Sequence, residues 1–190
     1  MPTNASEIVD EIQKLYSDDP LPWIVGYSGG KDSSASLQLI WNAVAALPLE
    51  KRLKPIHVIS TDTLVENPII AAWVKSSLGS MKIHAKKQNI PIYPHHLVPS
   101  LSNRFWVNLI GRGYPAPRPK FRWCTDRLKI SASTEFIREK FFDKIDPVQT
   151  EIWIGLSINK NRECFHKRVL FIVPFTKQPV LVNLLPKTDH

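Results

Sequence analysis

The sequence predicts an α/β fold: a doubly wound, mostly parallel sheet with helices on both faces. Short apolar runs with the length of buried strands alternate with amphipathic segments of helical length. This alternation favours a parallel sheet, because each helix returns the chain across the sheet before the next strand begins. The chain has 190 residues, 43% of them hydrophobic and 22% charged, so it can bury a core of ordinary size.

The first elements follow from hydrophobic spacing. Residues 4–17 predict an amphipathic helix, because Ile8, Ile12, Leu15 and Tyr16 share one face. After the helix-breaking segment SDDPLP, residues 23–27 (WIVGY) predict a buried strand. Residues 33–47 predict a helix, with Leu37, Ile40, Trp41, Val44 and Leu47 on its inward face.

The next elements repeat this unit. Residues 55–60 (PIHVIS) predict a second strand, and residues 68–88 a long helix that opens on a proline, which the first turn tolerates. Residues 90–98 predict a third strand at an edge of the sheet, because Pro91 and Pro94 cannot donate ladder hydrogen bonds. The inward face of the long helix is predicted to hold Trp73, Val74, Leu78, Met81 and Ala85.

The second half is less regular. Residues 102–110, 123–130 and 133–144 predict helices, and residues 151–155 (EIWIG) a further buried strand. The loop GRGYPAPRPKFR contains two glycines and three prolines, and a loop of this length is functional or disordered. We expect a nucleotide-binding domain over residues 1–155 and a diverged or truncated extension over 156–190, where residues 169–173 and 180–185 form either a hairpin or a remnant.

The charge is positive and uneven. The net charge is +8, and residues 104–129 hold seven Lys or Arg against one acid, Asp126. Such a segment favours an anionic partner, namely a nucleotide, a phosphate or a nucleic acid, although a solvated basic surface is the alternative. No apolar run reaches 18 residues, no secretory signal opens the chain and only two cysteines occur. We therefore expect a cytoplasmic protein that does not bind membranes.

The most specific feature is the hexapeptide SGGKDS, Ser28–Ser33, which lies between the first predicted strand and the following helix. Two glycines let the backbone turn sharply, and a helix N-terminus attracts phosphate. Lys31 adds a full charge, and the two serines add hydroxyl donors. The order of residues differs from the Walker A loop, which requires Ser or Thr after the lysine where this chain has Asp32. The hexapeptide therefore predicts a site for a polyphosphate.

The hexapeptide resembles the PP-loop of ATP pyrophosphatases, which split ATP between its α- and β-phosphates. The segments STDTLVENP and KFRWCTDRLK resemble motifs of the phosphoadenosine phosphosulfate (PAPS) reductase family. Together with FWVNLIGRGYPAPRP, they are most similar to the DndC branch, the PP-loop proteins of bacterial DNA phosphorothioation. The resemblance covers about residues 20–155. It implies nucleotide contacts from Gly26, Tyr27, Ser28, Gly29, Gly30, Lys31, Asp32, Ser33, Ser60, Thr61, Asp62 and Gly155.

The resemblance also implies roles. The amides of Gly29, Gly30 and Lys31 would hold the β- and γ-phosphates, and the Lys31 side chain would neutralise the leaving pyrophosphate. Asp32 would hold Mg²⁺, or else it only complements the helix dipole. Ser33 is either a phosphate donor or a helix cap. The implied reaction adenylates an oxygen-bearing substrate so that sulfur can replace the oxygen, with DNA as acceptor and a cysteine desulfurase as the sulfur source.

The basic segment carries the implied acceptor site. Lys120, Arg122 and Arg127 would bind the anionic acceptor, and Cys124 would carry sulfur or ligate an iron–sulfur cluster, because nearby cations favour a thiolate. A packed cysteine is the alternative. The DndC branch holds a [4Fe-4S] cluster, but such clusters take four thiolates and this chain has two. We therefore expect no complete cluster within this chain.

Two other functions stay open at this stage. A PAPS reductase would need a nucleophilic cysteine, commonly in a C-terminal tail, and the tail LLPKTDH has none. A catalytically incomplete module that binds nucleotide or DNA is the other possibility. The pattern that follows the last predicted strand in the family, R-x-x-E-S-x-x-R, is replaced here by LSINKNRECFHKR.

Overall fold

The computed structural model describes residues 5–18, 20–119, 121–141, 170–171 and 181–182. These residues form a mixed fold of helices around a small parallel sheet, which confirms the α/β class. The strands are β1 (Trp23–Gly26), β2 (Ile56–Thr61) and β3 (Ile92–Leu97), and the helices are α1 (Ala5–Asp18), α2 (Lys31–Ala45), α3 (Pro68–Lys87) and α4 (Ser131–Phe141).

The three strands lie in the order β1–β2–β3, and both pairings are parallel. Val58 of β2 lies opposite Val25 on one side and opposite Pro94 on the other. The described sheet therefore has β3 at an edge, which confirms the prediction from its prolines. Because the strands are parallel, their carboxyl ends meet at one edge of the sheet, and the loops that follow β1, β2 and β3 lie side by side.

The main core lies on the sheet face covered by α1, α2 and α3. Tyr16 fixes α1 there, because its hydroxyl donates to the Lys54 carbonyl at 2.7 Å and its ring meets Trp23 edge-on at 5.4 Å. The buried side chains of this face include Ile12, Val25, Leu37, Ile40, Val44, Ile56, Val58, Val74, Leu78 and Ile92.

Helix α4 covers the opposite face. Side chains alternate along a strand, so Ile24 and Ile59 point away from the main core. There they pack with Ile137 and Phe141 of α4. Helices thus flank the sheet on both faces in the described part of the chain. A doubly wound sheet would require a strand on the free side of β1, and the strand predicted for residues 151–155 lies outside the described residues.

Two details of the sequence-based assignment are wrong. Trp73 was predicted to face inward, but it is 50% exposed. The buried stripe of α3 follows Val74, Leu78 and Ala85, and Trp73 lies about 100° away from that stripe around the helix. The helices predicted for residues 123–130 and 133–144 are one continuous helical run from 123 to 141, with π-helical turns at Thr125–Ile130.

Near the C-terminus, β4 (Leu170–Phe171) and β5 (Leu181–Val182) pair antiparallel, with Leu170 opposite Val182. This pairing agrees with the hairpin alternative for the extension. The boundary predicted at residue 155 falls outside the described residues. Among the helices that are described, none is long and apolar enough to cross a membrane.

Candidate nucleotide site at the carboxyl edge of the sheet

The hexapeptide forms the sharp bend between β1 and α2. Gly29 has a left-handed φ of 72°, a conformation that residues with a Cβ rarely adopt. Gly30 is extended and caps α2, and its carbonyl accepts the first helical hydrogen bond from Ser34 N at 3.0 Å. Helix α2 then begins at Lys31. The predicted strand–bend–helix arrangement of the hexapeptide is therefore present, with both glycines at the turn.

Serine hydroxyls hold this bend together from within. The Ser28 and Ser33 Oγ atoms are 3.1 Å apart, and the Ser33 hydroxyl donates to the Gly30 carbonyl at 3.0 Å. The amide of Ser28 also donates to the Ser33 hydroxyl at 3.3 Å. The side-chain hydrogen bonds of Ser33 therefore stay within the hexapeptide. They do not distinguish between its two predicted roles, phosphate donor and helix cap.

The two charged residues of the bend occupy the first turn of α2. The Lys31 side chain is exposed, and Asp32 is partly buried. Both stand where the helix N-terminus concentrates partial positive charge. The carboxylate of Asp32, together with phosphate oxygens, is the kind of ligand set that Mg²⁺ takes. The residues present thus fit a nucleotide with its magnesium ion, although within the described residues no three His, Cys, Asp or Glu side chains form a metal site by themselves.

Parallel pairing carries the other predicted nucleotide residues to the same edge. Tyr27 N donates to the Ile59 carbonyl at 2.8 Å, and Asp62 N donates to the Leu97 carbonyl at 2.8 Å. These bonds continue the ladder one residue past β1 and β2, so the bend and the segment Ser60–Asp62 are neighbours. Tyr27 is buried, whereas a methyl group added to Gly26 would meet no atom within 4 Å.

The loop after β2 is polar and strained. The Asp62 carboxylate accepts from Leu64 N at 2.8 Å, and Leu64 has a left-handed φ of 62°. Ser60 is buried, and Thr61 is partly buried. The Thr63 hydroxyl is buried and has no hydrogen-bond partner among the described residues. A bound molecule or water would satisfy that group, since buried polar atoms are rarely left unpaired.

His96 joins this edge, and sequence reasoning missed it. Its Nε2 lies 3.6 Å from Oδ2 of Asp62. Ser60 and His96 are register partners on β2 and β3, which brings the imidazole to the same edge as the nucleotide segment. The signal was present in the sequence, because both residues stand near the ends of predicted neighbouring strands.

A pair of histidines, His57 and His95, lies on the α4 side of the sheet. His57 Nδ1 and His95 Nε2 are 2.9 Å apart, and the rings stack at 5.1 Å between centroids. Burial, with smaller effects from His95 and Lys140, lowers the pKa of His57 to about 4. Burial and then Lys140 also lower the pKa of His95. The pair is therefore neutral at pH 7 and serves the packing of α4.

The basic segment is folded around buried polar contacts. Asn108 is fully buried, and its side chain donates to the carbonyls of Ser102 at 3.0 Å and Arg104 at 2.8 Å. Trp123 is also buried and donates to the Pro115 carbonyl at 2.9 Å. The Asn108 carbonyl also accepts from Tyr114 N at 3.0 Å. Asn108 and Trp123 thus hold the proline-rich loop at Tyr114 and Pro115, so this part of it has a defined shape without regular structure.

The predicted acceptor residues differ in their surroundings. Arg122 is exposed, but Arg127 is partly buried and donates to the Tyr114 hydroxyl at 2.8 Å and to Asn103 Oδ1 at 3.3 Å. Its guanidinium also lies 5.1 Å from the Tyr114 ring centroid. Lys120 is outside the described residues. The structure therefore gives Arg127 a role in holding the loop and leaves Arg122 facing solvent.

Cys124 is a partly buried free thiol at the start of the helical run that leads into α4. Cys164 and Gly155 lie outside the described residues. The described part of the chain thus offers one cysteine, which does not by itself fit a [4Fe-4S] cluster. A contact between Lys129 Nζ and Glu66 Oε1 at 3.5 Å ties this helical run to the loop after β2. This ion pair joins the basic segment to the loop at the carboxyl edge of the sheet.

No protein-family model, no curated protein and no solved structure matches this chain.

Proposed function

We propose that this chain is a PP-loop ATP pyrophosphatase that adenylates an oxygen-bearing substrate for sulfur transfer, with DNA phosphate as the acceptor. The observation that carries the proposal is the Gly29–Gly30 bend. It joins a parallel strand to a helix N-terminus that bears Lys31, at the carboxyl edge where ligands of open α/β sheets bind. The finer fold belongs to the same proposal: a doubly wound sheet completed by the predicted strand at residues 151–155.

In the proposed reaction an acceptor oxygen attacks the α-phosphorus of ATP. A new oxygen–phosphorus bond forms, the bond to the bridging oxygen breaks, and its electron pair leaves with pyrophosphate. The bend binds the departing β- and γ-phosphates through backbone N–H groups, and the exposed Lys31 ammonium offsets their charge. Mg²⁺ bound at the Asp32 carboxylate would supply further neutralisation of phosphate charge. The segment Ser60–Asp62 would contact the adenosine.

DNA is proposed as the acceptor because the basic segment has the surface of a nucleic-acid binder. Trp106 and Phe121 are 57% and 46% exposed, and large aromatic rings stack on bases. Four arginines of the same segment are exposed, and guanidinium groups bind phosphates. These exposed cations are Arg104, Arg112, Arg118 and Arg122. The sulfur that replaces the adenylated oxygen would come from a cysteine desulfurase, and Cys124 would carry it as a persulfide. Attack of that persulfide on the adenylated phosphorus would expel AMP, and a dithiol reductant would then cleave the sulfur–sulfur bond, which leaves the sulfur on phosphorus and restores the Cys124 thiol.

The test is release of pyrophosphate from Mg·ATP with and without DNA. We expect wild-type protein to release pyrophosphate in a DNA-stimulated manner and Lys31→Ala to lose at least tenfold in rate, because one charged contact to the leaving group is removed. Lys82→Ala is the matched control, since Lys82 is an exposed lysine on α3 far along the helix from the bend.

Equal rates for Lys31→Ala and wild type would refute the assignment of the bend. Activity that is present but indifferent to DNA would refute the acceptor and leave the nucleotide chemistry standing.

A further inference from the structure

The diglycine bend has a neighbour outside the hexapeptide, the second turn of α3. A methyl group placed on Gly29 would lie 2.7 Å from Cζ3 of Trp73 and 2.6 Å from Cγ2 of Val74. Real side chains do not approach so closely, so these two residues fill the space beside the Gly29 Cα. The left-handed turn at Gly29 is therefore packed from the side by α3.

Trp73 is well suited to hold this turn. Its side chain is 50% exposed, so one part of the indole faces solvent and another part rests on the bend. Val74, by contrast, is 7% exposed and belongs to the main core. Burial in the main core accounts for an apolar residue at position 74, but it does not account for a half-exposed tryptophan at position 73. The contact of Trp73 with Gly29 accounts for it.

The bend needs support of this kind. The hydrogen bonds found among Ser28, Gly30 and Ser33 run within the hexapeptide and measure 3.0–3.4 Å. Glycine also loses more conformational entropy on ordering than any other residue, and this bend has two glycines in succession. Packing by a rigid ring on a helix reduces that freedom before a ligand arrives, which raises affinity through pre-organisation.

We propose that Trp73 is a positioning residue for the phosphate-binding bend: it holds Gly29 in its left-handed conformation so that the following amides stay in place for the phosphates of the nucleotide. This inference rests on the proposed function of the bend. Trp73 acts through Gly29 and is not assigned any contact with the substrate.

The experiment measures two dissociation constants by calorimetry, for Mg·ATP and for inorganic tripolyphosphate. We expect Trp73→Ala to weaken both by about tenfold, since tripolyphosphate shares the phosphates but has no base. Trp73→Phe keeps an aromatic ring on the bend and is expected to stay within about threefold of wild type. Ile83→Ala, which removes an exposed apolar side chain from a later turn of α3, is the matched control and should change neither constant.

A coupled variant sharpens the test. Gly29→Ala should weaken tripolyphosphate binding, and in the Trp73→Ala background the added methyl should cost measurably less, because one of its two close neighbours is gone. Thermal unfolding of each variant separates this effect from general loss of structure, since a global destabilisation would lower the midpoint without making the two substitutions non-additive.

Three outcomes would overturn the proposal. One is tripolyphosphate affinity that is unchanged in Trp73→Ala. Another is a loss confined to ATP, which would make Trp73 a contact of the base. The third is a wild-type chain that binds neither ligand, which would end the proposed function as well. Conversely, a wild type that binds both ligands but releases no pyrophosphate would refute the proposed reaction and leave the Trp73 assignment intact.

Discussion

The bend at residues 28–33 and the basic segment at residues 104–129 are stabilised in different ways. The hydrogen bonds of the bend are local, because its two glycines and serine hydroxyls bond within six residues, and Trp73 and Val74 of α3 pack against Gly29 from the side. The basic segment is held by side chains that bond residues far away in sequence, such as Arg127 to Tyr114 and to Asn103, 13 and 24 residues away. A bend whose hydrogen bonds are local can be predicted from the sequence, whereas a loop held by residues far apart in the sequence cannot.

This difference separates the two halves of the proposed function. The nucleotide chemistry depends on the bend and on a helix N-terminus, and the acceptor depends on which cations the scaffold leaves exposed. Variants that damage one region should therefore spare the function of the other. The predictions below use that separation, beginning with the largest expected effect.

The bend is broken most directly at Gly29. Gly29→Ala forces a Cβ into left-handed backbone, which costs about 1–2 kcal/mol, and also pushes a methyl against Val74 and Trp73. We expect Mg·ATP affinity to fall more than tenfold and the free energy of unfolding to fall by at least that strain, measured by calorimetry and urea denaturation. Gly79→Ala is the control, because Gly79 lies within α3 and its added methyl would meet no atom within 4 Å. Similar losses in both variants would contradict this account of the bend.

Acid should loosen α4, the helix that continues the basic segment, through the His57–His95 pair. The folded pKa of His57 is about 4, below its ordinary value of 6.5, so the unfolded state binds more protons between those pH values. The contribution of His57 to the free energy of unfolding is therefore fully present above pH 6.5. It is lost as the pH falls toward 4, by about 3 kcal/mol. The lowered pKa of His95 acts in the same direction.

Urea denaturation across pH 4–7 measures this effect. His57→Phe should flatten the pH dependence, because an aromatic ring keeps contact with Tyr93 and Phe141 without titrating. His84→Gln, at an exposed histidine on α3, should leave the slope as it is in wild type. A slope that His57→Phe does not change would show that the pair is not the titrating element.

Substitution of Asn108 is expected to destabilise the basic segment. Asn108→Ala removes from a fully buried position the side chain that donates to the Ser102 and Arg104 carbonyls and accepts from the Arg112 guanidinium, which costs about 2–3 kcal/mol. DNA affinity should fall with it, and Mg·ATP affinity should stay within about twofold. Asn42→Ala removes an exposed amide that bonds only Gln38 in the described contacts, and it should cost under about 0.5 kcal/mol. Loss of ATP binding in Asn108→Ala would break the separation of the two regions.

The smallest effect distinguishes two arginines of the same segment. Arg127→Ala should lower stability by about 1–2 kcal/mol, because it removes two hydrogen bonds and a cation–π contact. Arg122→Ala should leave stability within about 0.5 kcal/mol and instead reduce the slope of log affinity for DNA against log salt by about one. An interchange of these two phenotypes would contradict the placement of the loop.

The same contrast explains what the sequence could predict. Strand alternation and helical spacing located β1 to β3 and α1 to α3 within a few residues, because those patterns reflect burial on one face. They misplaced Trp73, whose partner is the Gly29 backbone and not the core. They also divided the helical run at residues 123–141, since no local signal shows that its π-helical turns continue into α4.

Within the candidate site, the hexapeptide was readable because glycine and serine act locally. The place of His96 beside Asp62 could have been predicted, since His96 lies near the end of the predicted strand that neighbours the one leading to Asp62. The internal role of Arg127 could not, because its partners Asn103 and Tyr114 lie 24 and 13 residues away. Charge counts treated every cation of the segment alike, whereas burial divides them into scaffold and surface.

The most direct test of the central claim follows the backbone amides of the bend by nuclear magnetic resonance as Mg·ATP is added. The account predicts that the largest shifts occur at Gly29, Gly30 and Lys31. Gly113, which also has a positive φ but lies in the proline-rich loop, should not move. Shifts that leave residues 29–31 unchanged, or that are larger at Gly113, would contradict the claim that the diglycine bend binds the phosphates of a nucleotide.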